Sequence, residues 1–300
     1  MYACKVYLCI ASEVRVCCYS LIRYFARGKT ELIYALTSMQ KLKLYQIDAF
    51  TDKVFGGNPA AVCVLDKWLD EAVMQSIATE NNLAETAFVV PAGEAYEIRW
   101  FTPTVEVDLC GHATLAAAYV LFKYYNHPTD KISLNSRNSG QLSVSRNGEE
   151  LTLDFPVDTL SEIQTPQALI EALGKTPVAA YKGKTDFMLL FPSQQDIEAL
   201  NPDFRLIASA GGRGVIVTAP GNEVDFVSRF FCPNVGINED PVTGSAHTTL
   251  TPYWSQQLGK ATLTAKQLSR RQGNLTCELA GDRVKITGNA VTYLIGEINI

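Results

Sequence analysis

From Leu42 onward, short runs of apolar residues alternate with longer stretches of helical spacing. The spacing predicts strands at Leu44 to Phe50, Ala61 to Leu65, Ala87 to Val90, Glu97 to Phe101 and Gln141 to Phe155, the last folded into a hairpin at Asn147-Gly148. Leu151, Leu153 and Phe155 alternate with polar residues, as a sheet with one solvated face requires. Leu69 to Asn81 reads as a helix whose apolar face carries Leu69, Val73 and Ile77 with Ala72 beside them. Ala113 to Tyr125 is apolar on most sides, which predicts a deeply buried helix.

The second half repeats this order. Gln194 to Leu200 reads as a short helix, Gly214 to Thr218 and Glu223 to Phe231 as strands, and Ala246 to Leu258 as a helix closed by Gly259. Pro252 should kink that helix or lie in its first turns. Arg283 to Thr287 and Ala290 to Ile298 flank Gly288-Asn289, a second hairpin signal.

The halves also share residues. Arg99-Trp-Phe-Thr-Pro103 precedes Cys110-Gly-His-Ala-Thr114, and Arg229-Phe-Phe-Cys-Pro233 precedes Thr243-Gly-Ser-Ala-His247. The offsets, 130 between the prolines and 133 between the glycines, suggest a duplicated unit. Two similar lobes make one cleft between them.

Composition narrows the classes. The chain has 300 residues, 47% of them hydrophobic, and a formal net charge of -5. No broad basic field is available for a nucleic acid, and no apolar run approaches the roughly 20 residues of a membrane-spanning helix. Residues 1–38 stand apart, holding Cys4, Cys9, Cys17 and Cys18 with five basic and two acidic residues. They lack the uninterrupted apolar core of a secretory signal, and Met39 opens a segment that reads at once as a strand. Met39 is therefore the expected native start. Cys63, Cys110, Cys232 and Cys277 form no C-x-x-C pair, so each reads as a small buried hydrophobe in a reducing cytoplasm.

Chemistry concentrates at the two glycine motifs. Gly111-His112-Ala113 and Gly244-Ser245-Ala246 sit where a loop becomes a helix, and small residues there leave backbone N–H groups open. Two such helix starts facing one cleft could hold a carboxylate without any arginine. Glu85 lies between a helix end and a strand, and the aligned Gly211-Gly-Arg-Gly214 has no acid, so Glu85 is a candidate for a task performed once. Asp240 precedes Gly244 by four residues, with Pro241 restricting it toward the same helix start. His112 could exchange a proton near neutral pH, whereas His247 could line the cleft or cap its helix. Cys110, His112 and His247 lack a metal-ligand spacing, so no metal is expected.

Four segments, Asp48-Ala-Phe-Thr51 with Gly57-Asn-Pro-Ala60, Leu83-Ala-Glu-Thr86, Phe101-Thr-Pro103 with Cys110-Gly-His-Ala-Thr114, and Glu239-Asp-Pro-Val-Thr-Gly-Ser-Ala246, occur in an order that resembles the phenazine-biosynthesis PhzF-like isomerases. The resemblance runs from about Met39 to Ile300. It implies an α+β, diaminopimelate epimerase-like fold: two similar domains, each a curved, mostly antiparallel sheet or barrel around a central helix, with the site between them. The expected division is residues 39–155 and 156–286, with 287–300 returning to the first domain. The family's catalytic residues correspond to Glu85, His112, Asp240 and Ser245, and Cys110, Gly111, Ala113, Gly244 and Ala246 fall around the substrate.

Related epimerases use two thiols. Cys110 matches the first position, with Asp240 standing at the second. The resemblance thus implies a cofactor-independent isomerase shifting a proton on a small carboxylate-bearing substrate, in a cytoplasmic homodimer that touches neither nucleic acid nor membrane. The alternatives are a cysteine-using amino-acid epimerase on the same fold and a non-catalytic protein that binds small acids.

Overall fold

A computed structural model describes residues 40–300. The expectations for residues 1–38 and for a start at Met39 lie outside the described residues. By contacts the described chain forms a main unit, Lys43–Gly296, and a small one in which Gln40–Leu42 accompany Glu297–Ile300. In the small unit Gln40 and Ile300 exchange backbone hydrogen bonds of 2.9 and 2.8 Å.

The first half contains β1 (Lys41–Ala49), β2 (Asn58–Val64), α1 (Glu71–Asn81), β3 (Glu85–Ala92), β4 (Ala95–Phe101), β5 (Glu106–Val107), α2 (Gly111–Tyr124), β6 (Lys131–Ser136), β7 (Gly140–Asn147) and β8 (Glu150–Pro156). The second contains β9 (Ser161–Ile163), α3 (Gln167–Leu173), β10 (Ala179–Lys182), β11 (Phe187–Leu190), α4 (Gln194–Glu198), α5 (Phe204–Ser209), β12 (Val215–Pro220), β13 (Phe226–Cys232), β14 (Ile237–Asp240), α6 (Gly244–Leu258), β15 (Thr262–Gln267), β16 (Gly273–Ala280), β17 (Arg283–Gly288) and β18 (Ala290–Asn299). Among the described residues, no helix is long and apolar enough to cross a membrane.

The strand pairings of the two halves match one for one. β2 runs parallel to β3, β3 and β5 antiparallel to β4, β6 parallel to β4, and β6, β7 and β8 follow antiparallel. β11 stands in the same relation to β12, and β13, β14, β15, β16 and β17 complete the series identically. Even the arginines correspond: Arg99 grips Glu106 and stacks over Phe101, and Arg229 grips Glu239 and stacks over Phe231. An antiparallel β8–β17 pairing joins the halves.

Each half wraps a helix. Gly111 through Phe122 of α2 are all buried, as an apolar circumference dictates. In α6, Pro252 lies within the helix rather than at its start. Having no N–H, it leaves the Thr248 carbonyl unpaired within the helix, and the Asp158 N–H donates to that carbonyl at 3.2 Å. Gly259 then ends α6 in the left-handed region at φ 64°.

Two readings of the pattern change. In α1 the buried face is Met74, Ile77 and Ala78, shifted from the expected Leu69, Val73 and Ile77, and Ala72 is exposed. The tail is no hairpin. Both edges of β17 are taken, by β16 and β8, so the chain beyond Gly288 crosses to pair β18 with β1. Gly288 is needed for close approach instead, since a Cβ there would stand 2.5 Å from the Phe50 ring.

Candidate active site

α2 and α6 meet start to start. A Cβ added to Gly111 would stand 3.2 Å from the Gly244 Cα, and one added to Gly244 would stand 3.3 Å from the Gly111 Cα. Only hydrogens separate the two backbones comfortably. Beside this junction opens a small, solvent-open cavity of about 70 Å³. Glu85, Cys110, Gly111, His112, Asp240, Gly244 and Ser245 line it, together with Arg213 and Cys232.

Local structure delivers each group. α1 ends with Asn82 in the left-handed region, and the Asn81 amide donates to the Thr86 hydroxyl at 3.0 Å, which sets Glu85 at the head of β3. His112 enters on the first turn of α2, and Asp240 closes β14. Asn58 opens β2 after Gly57, whose added Cβ would lie 2.0 Å from the Ala49 carbonyl oxygen. Arg271 secures that turn by donating to the Gly56 and Gly57 carbonyls and to Asp48. The Asp48 and Gly57 motifs thus build the scaffold under Asn58.

Asn58 is the buried hub that the sequence reading missed. Its Nδ2 lies 2.8 Å from Asp240 Oδ1, 2.9 Å from the Val242 carbonyl and 3.0 Å from His112 Nδ1. Two protons serve three acceptors, and because the amide nitrogen can only donate, His112 Nδ1 is the accepting nitrogen and Nε2 carries the ring proton. The Thr243 hydroxyl donates to Asp240 Oδ2 at 2.5 Å, and Gln267 donates to the Asp240 carbonyl at 2.8 Å. Asp240 is therefore rigidly held. His112 Nε2 stands 3.2 Å from Glu85 Oε2 without the alignment of a hydrogen bond, and both atoms are buried without a partner among the described residues.

Burial dominates the electrostatics. It pushes the Glu85 carboxyl up to about 8, with the Asp240 charge acting in the same direction and the Cys110 thiol and Arg213 opposing. Burial also raises Asp240 to about 6 against the hydrogen bonds from Thr243 and Asn58. The same cause lowers His112 to about 3, so its ring is neutral across the physiological range. Burial, then the neighbouring Glu85, drives the Cys110 thiol well above its ordinary range, and the Ala113 N–H opposes this only in part. A neutral imidazole thus faces a protonated carboxyl.

Other expected residues fall differently. Ala113 and Ala246 are buried in the helices behind the pocket wall. His247 does not line the pocket: its Nδ1–H donates to the carbonyl of Thr243, the residue preceding α6, at 2.8 Å, and burial lowers it to about 4. The residue matching Cys110 in the second half is Thr243, which precedes Gly244 as Cys110 precedes Gly111; Asp240 reaches the site from β14 instead. An arginine is present after all, in Arg213. Glu85, Cys110 and His112 offer donor atoms all within 4.8 Å of one another, close enough to share one cation. A cation there would first have to displace the thiol proton.

Comparison with known proteins identifies the family and the fold. The model of the family described as phenazine biosynthesis-like protein, PhzC-PhzF, matches residues 47–296. An uncharacterized isomerase of Pseudomonas aeruginosa is 52% identical over 260 residues, covering 87% of this chain and 99% of that protein. The crystal structure of a PhzF-family phenazine biosynthesis protein from Enterococcus faecalis superposes with a TM-score of 0.85 at 48% identity, over 87% of this chain and all 100% of that one. A hydroxyproline epimerase from Agrobacterium vitis, 12% identical with a TM-score of 0.59 over 87% of this chain and 93% of its own, shares the fold.

Proposed function

Because the chain belongs to the PhzC-PhzF phenazine biosynthesis-like family and is an isomerase, we propose that it shifts a proton between carbons of a small carboxylate-bearing substrate, with Glu85 as acid and base. One observation carries the reading: Glu85 Oε2 is buried and unpartnered at the pocket wall, beside the equally unpartnered His112 Nε2. At neutral pH the carboxyl holds its proton, so the acid step comes first. Glu85 gives that proton to one substrate carbon, and the resulting carboxylate removes a proton from another, so the double bond moves and the enzyme is restored. His112, neutral and tethered to Asp240 through Asn58, steadies the charge that passes through the site. The N–H groups at the starts of α2 and α6 receive the substrate carboxylate. The scheme draws on no cofactor.

The test is turnover of a panel of small unsaturated acids in D2O, followed by NMR. Wild type should place deuterium on a carbon of the converted acid. Glu85→Gln, isosteric and unable to exchange a proton, should slow this by about 10²–10⁴-fold. Equal incorporation by the variant removes Glu85 from the reaction.

A further inference from the structure

The repeat places different charges at equivalent junctions. Glu85 precedes Thr86, which pairs with Phe101, and Gly214 precedes Val215, which pairs with Phe231. Where the first lobe turns Glu85 into the pocket, the second turns in Arg213, one residue earlier. The local sequence enforces this. Gly211 and Gly212 both sit at φ 78°, a conformation L side chains rarely adopt, and an added Cβ on Gly214 would lie 2.5 Å from the Phe230 ring.

Arg213 is fixed from behind. Its Nε donates to the buried Asp186 at 2.9 Å, Nη2 donates to the other Asp186 oxygen, and Nη2 also donates to Ser245 Oγ at 2.9 Å. The guanidinium lies over Phe230, itself a pocket residue, at 5.3 Å. These bonds consume the protons of Nε and Nη2, and Nη1 has no partner among the described residues. A second consequence concerns Ser245. Accepting from Arg213 uses one of its two lone pairs, and its own O–H, with no acceptor among the described residues, is left to donate. That hydroxyl stands on the first turn of α6, where the helix end already favours an anion. Among the described residues the α2 start has no such cation; Glu85, Cys110 and His112 cluster there.

We infer that Arg213 anchors the substrate's carboxylate at the α6 end of the pocket, through its free Nη1 edge and through the Ser245 hydroxyl that it orients as a donor. This deepens the proton-shift reading and rests on it for the word substrate. It gives the bound acid a direction: carboxylate toward Arg213 and Ser245, reacting carbons toward Glu85 and His112.

Benzoate and its neutral isostere benzamide serve as probes, with affinity read by titration calorimetry. Arg213→Gln alone strands the buried Asp186, so the decisive variant is Arg213→Gln with Asp186→Asn, which removes both charges together. Wild type should bind benzoate in preference to benzamide. The double variant should melt near the wild-type temperature and bind benzoate about ten- to a hundredfold more weakly, with benzamide unchanged. Ser245→Ala should lose part of the same preference. A folded double variant that keeps its preference for benzoate shows Arg213 to be structural only and overturns the inference, as does wild type that does not distinguish the probes. None of these readouts needs turnover. Benzoate binding that survives Glu85→Gln, with deuterium incorporation unaffected by that change, sinks the proton-shift reading and leaves the anchor standing.

Discussion

His112 Nε2 lies 3.2 Å from Glu85 Oε2, and neither buried atom completes a hydrogen bond. In a folded interior such groups are ordinarily satisfied, since an unmet buried polar atom costs about 1–3 kcal/mol. Two of them side by side on a pocket wall are what supports assigning Glu85 and His112 to the proposed proton shift.

The first prediction concerns pH. With the Glu85 carboxyl at about 8, the acid form is lost as pH rises, so kcat/KM should decline on crossing about pH 8. The folded carboxyl is raised above its unfolded value of 4.5, so the folded state holds a proton that the unfolded state releases. Stability associated with Glu85 is therefore full below 4.5 and falls as pH rises through about 8. Melting temperatures of wild type and Glu85→Gln should diverge across that window, the variant losing less; parallel curves would contradict the shift.

Asn58 should behave as the keystone of the buried network. Asn58→Ala strands Asp240 Oδ1 and the Val242 carbonyl, at a cost of about 1–3 kcal/mol in urea unfolding. Asn58→Asp sets one carboxylate against another and should cost more, with activity lost in both. Retention of full activity by Asn58→Ala would detach Asp240 from His112 functionally.

Gly111→Ala and Gly244→Ala should each push the helix starts apart by tenths of an ångström, because the added carbon meets backbone at 3.2 or 3.3 Å. The expected destabilisation is about 1–3 kcal/mol. Catalysis should suffer further, since both reacting lobes are indexed on this contact. A crystal structure of either variant measures the separation directly.

Cys110 provides the sharpest contrast with thiol chemistry. Burial holds its proton well above the ordinary range, so iodoacetamide at pH 7 should label it slowly, and Cys110→Ala should keep deuterium incorporation within about tenfold of wild type. Dialysis against EDTA should leave that rate unchanged. Collapse of exchange in Cys110→Ala with fast, substrate-protected labelling would instead favour a cysteine-using epimerase.

Much of this molecule was written in local pattern. The strand and helix periodicities, the glycines at both helix starts, the β7–β8 hairpin, whose turn falls one residue later at Gly148-Glu149, and the echo of Arg99 in Arg229 are properties of neighbouring residues, and short-range sterics and burial enforce them. Tertiary structure alone decided which distant groups meet. Asn58 touches Asp240 across 182 positions, Asp186 turns Arg213 toward Ser245, and the tail abandons its hairpin because β8 already occupies the edge of β17. Pairing partners, protonation and the sharing of a buried amide's protons depend on what surrounds each group in space, and spacing along a chain carries no record of that.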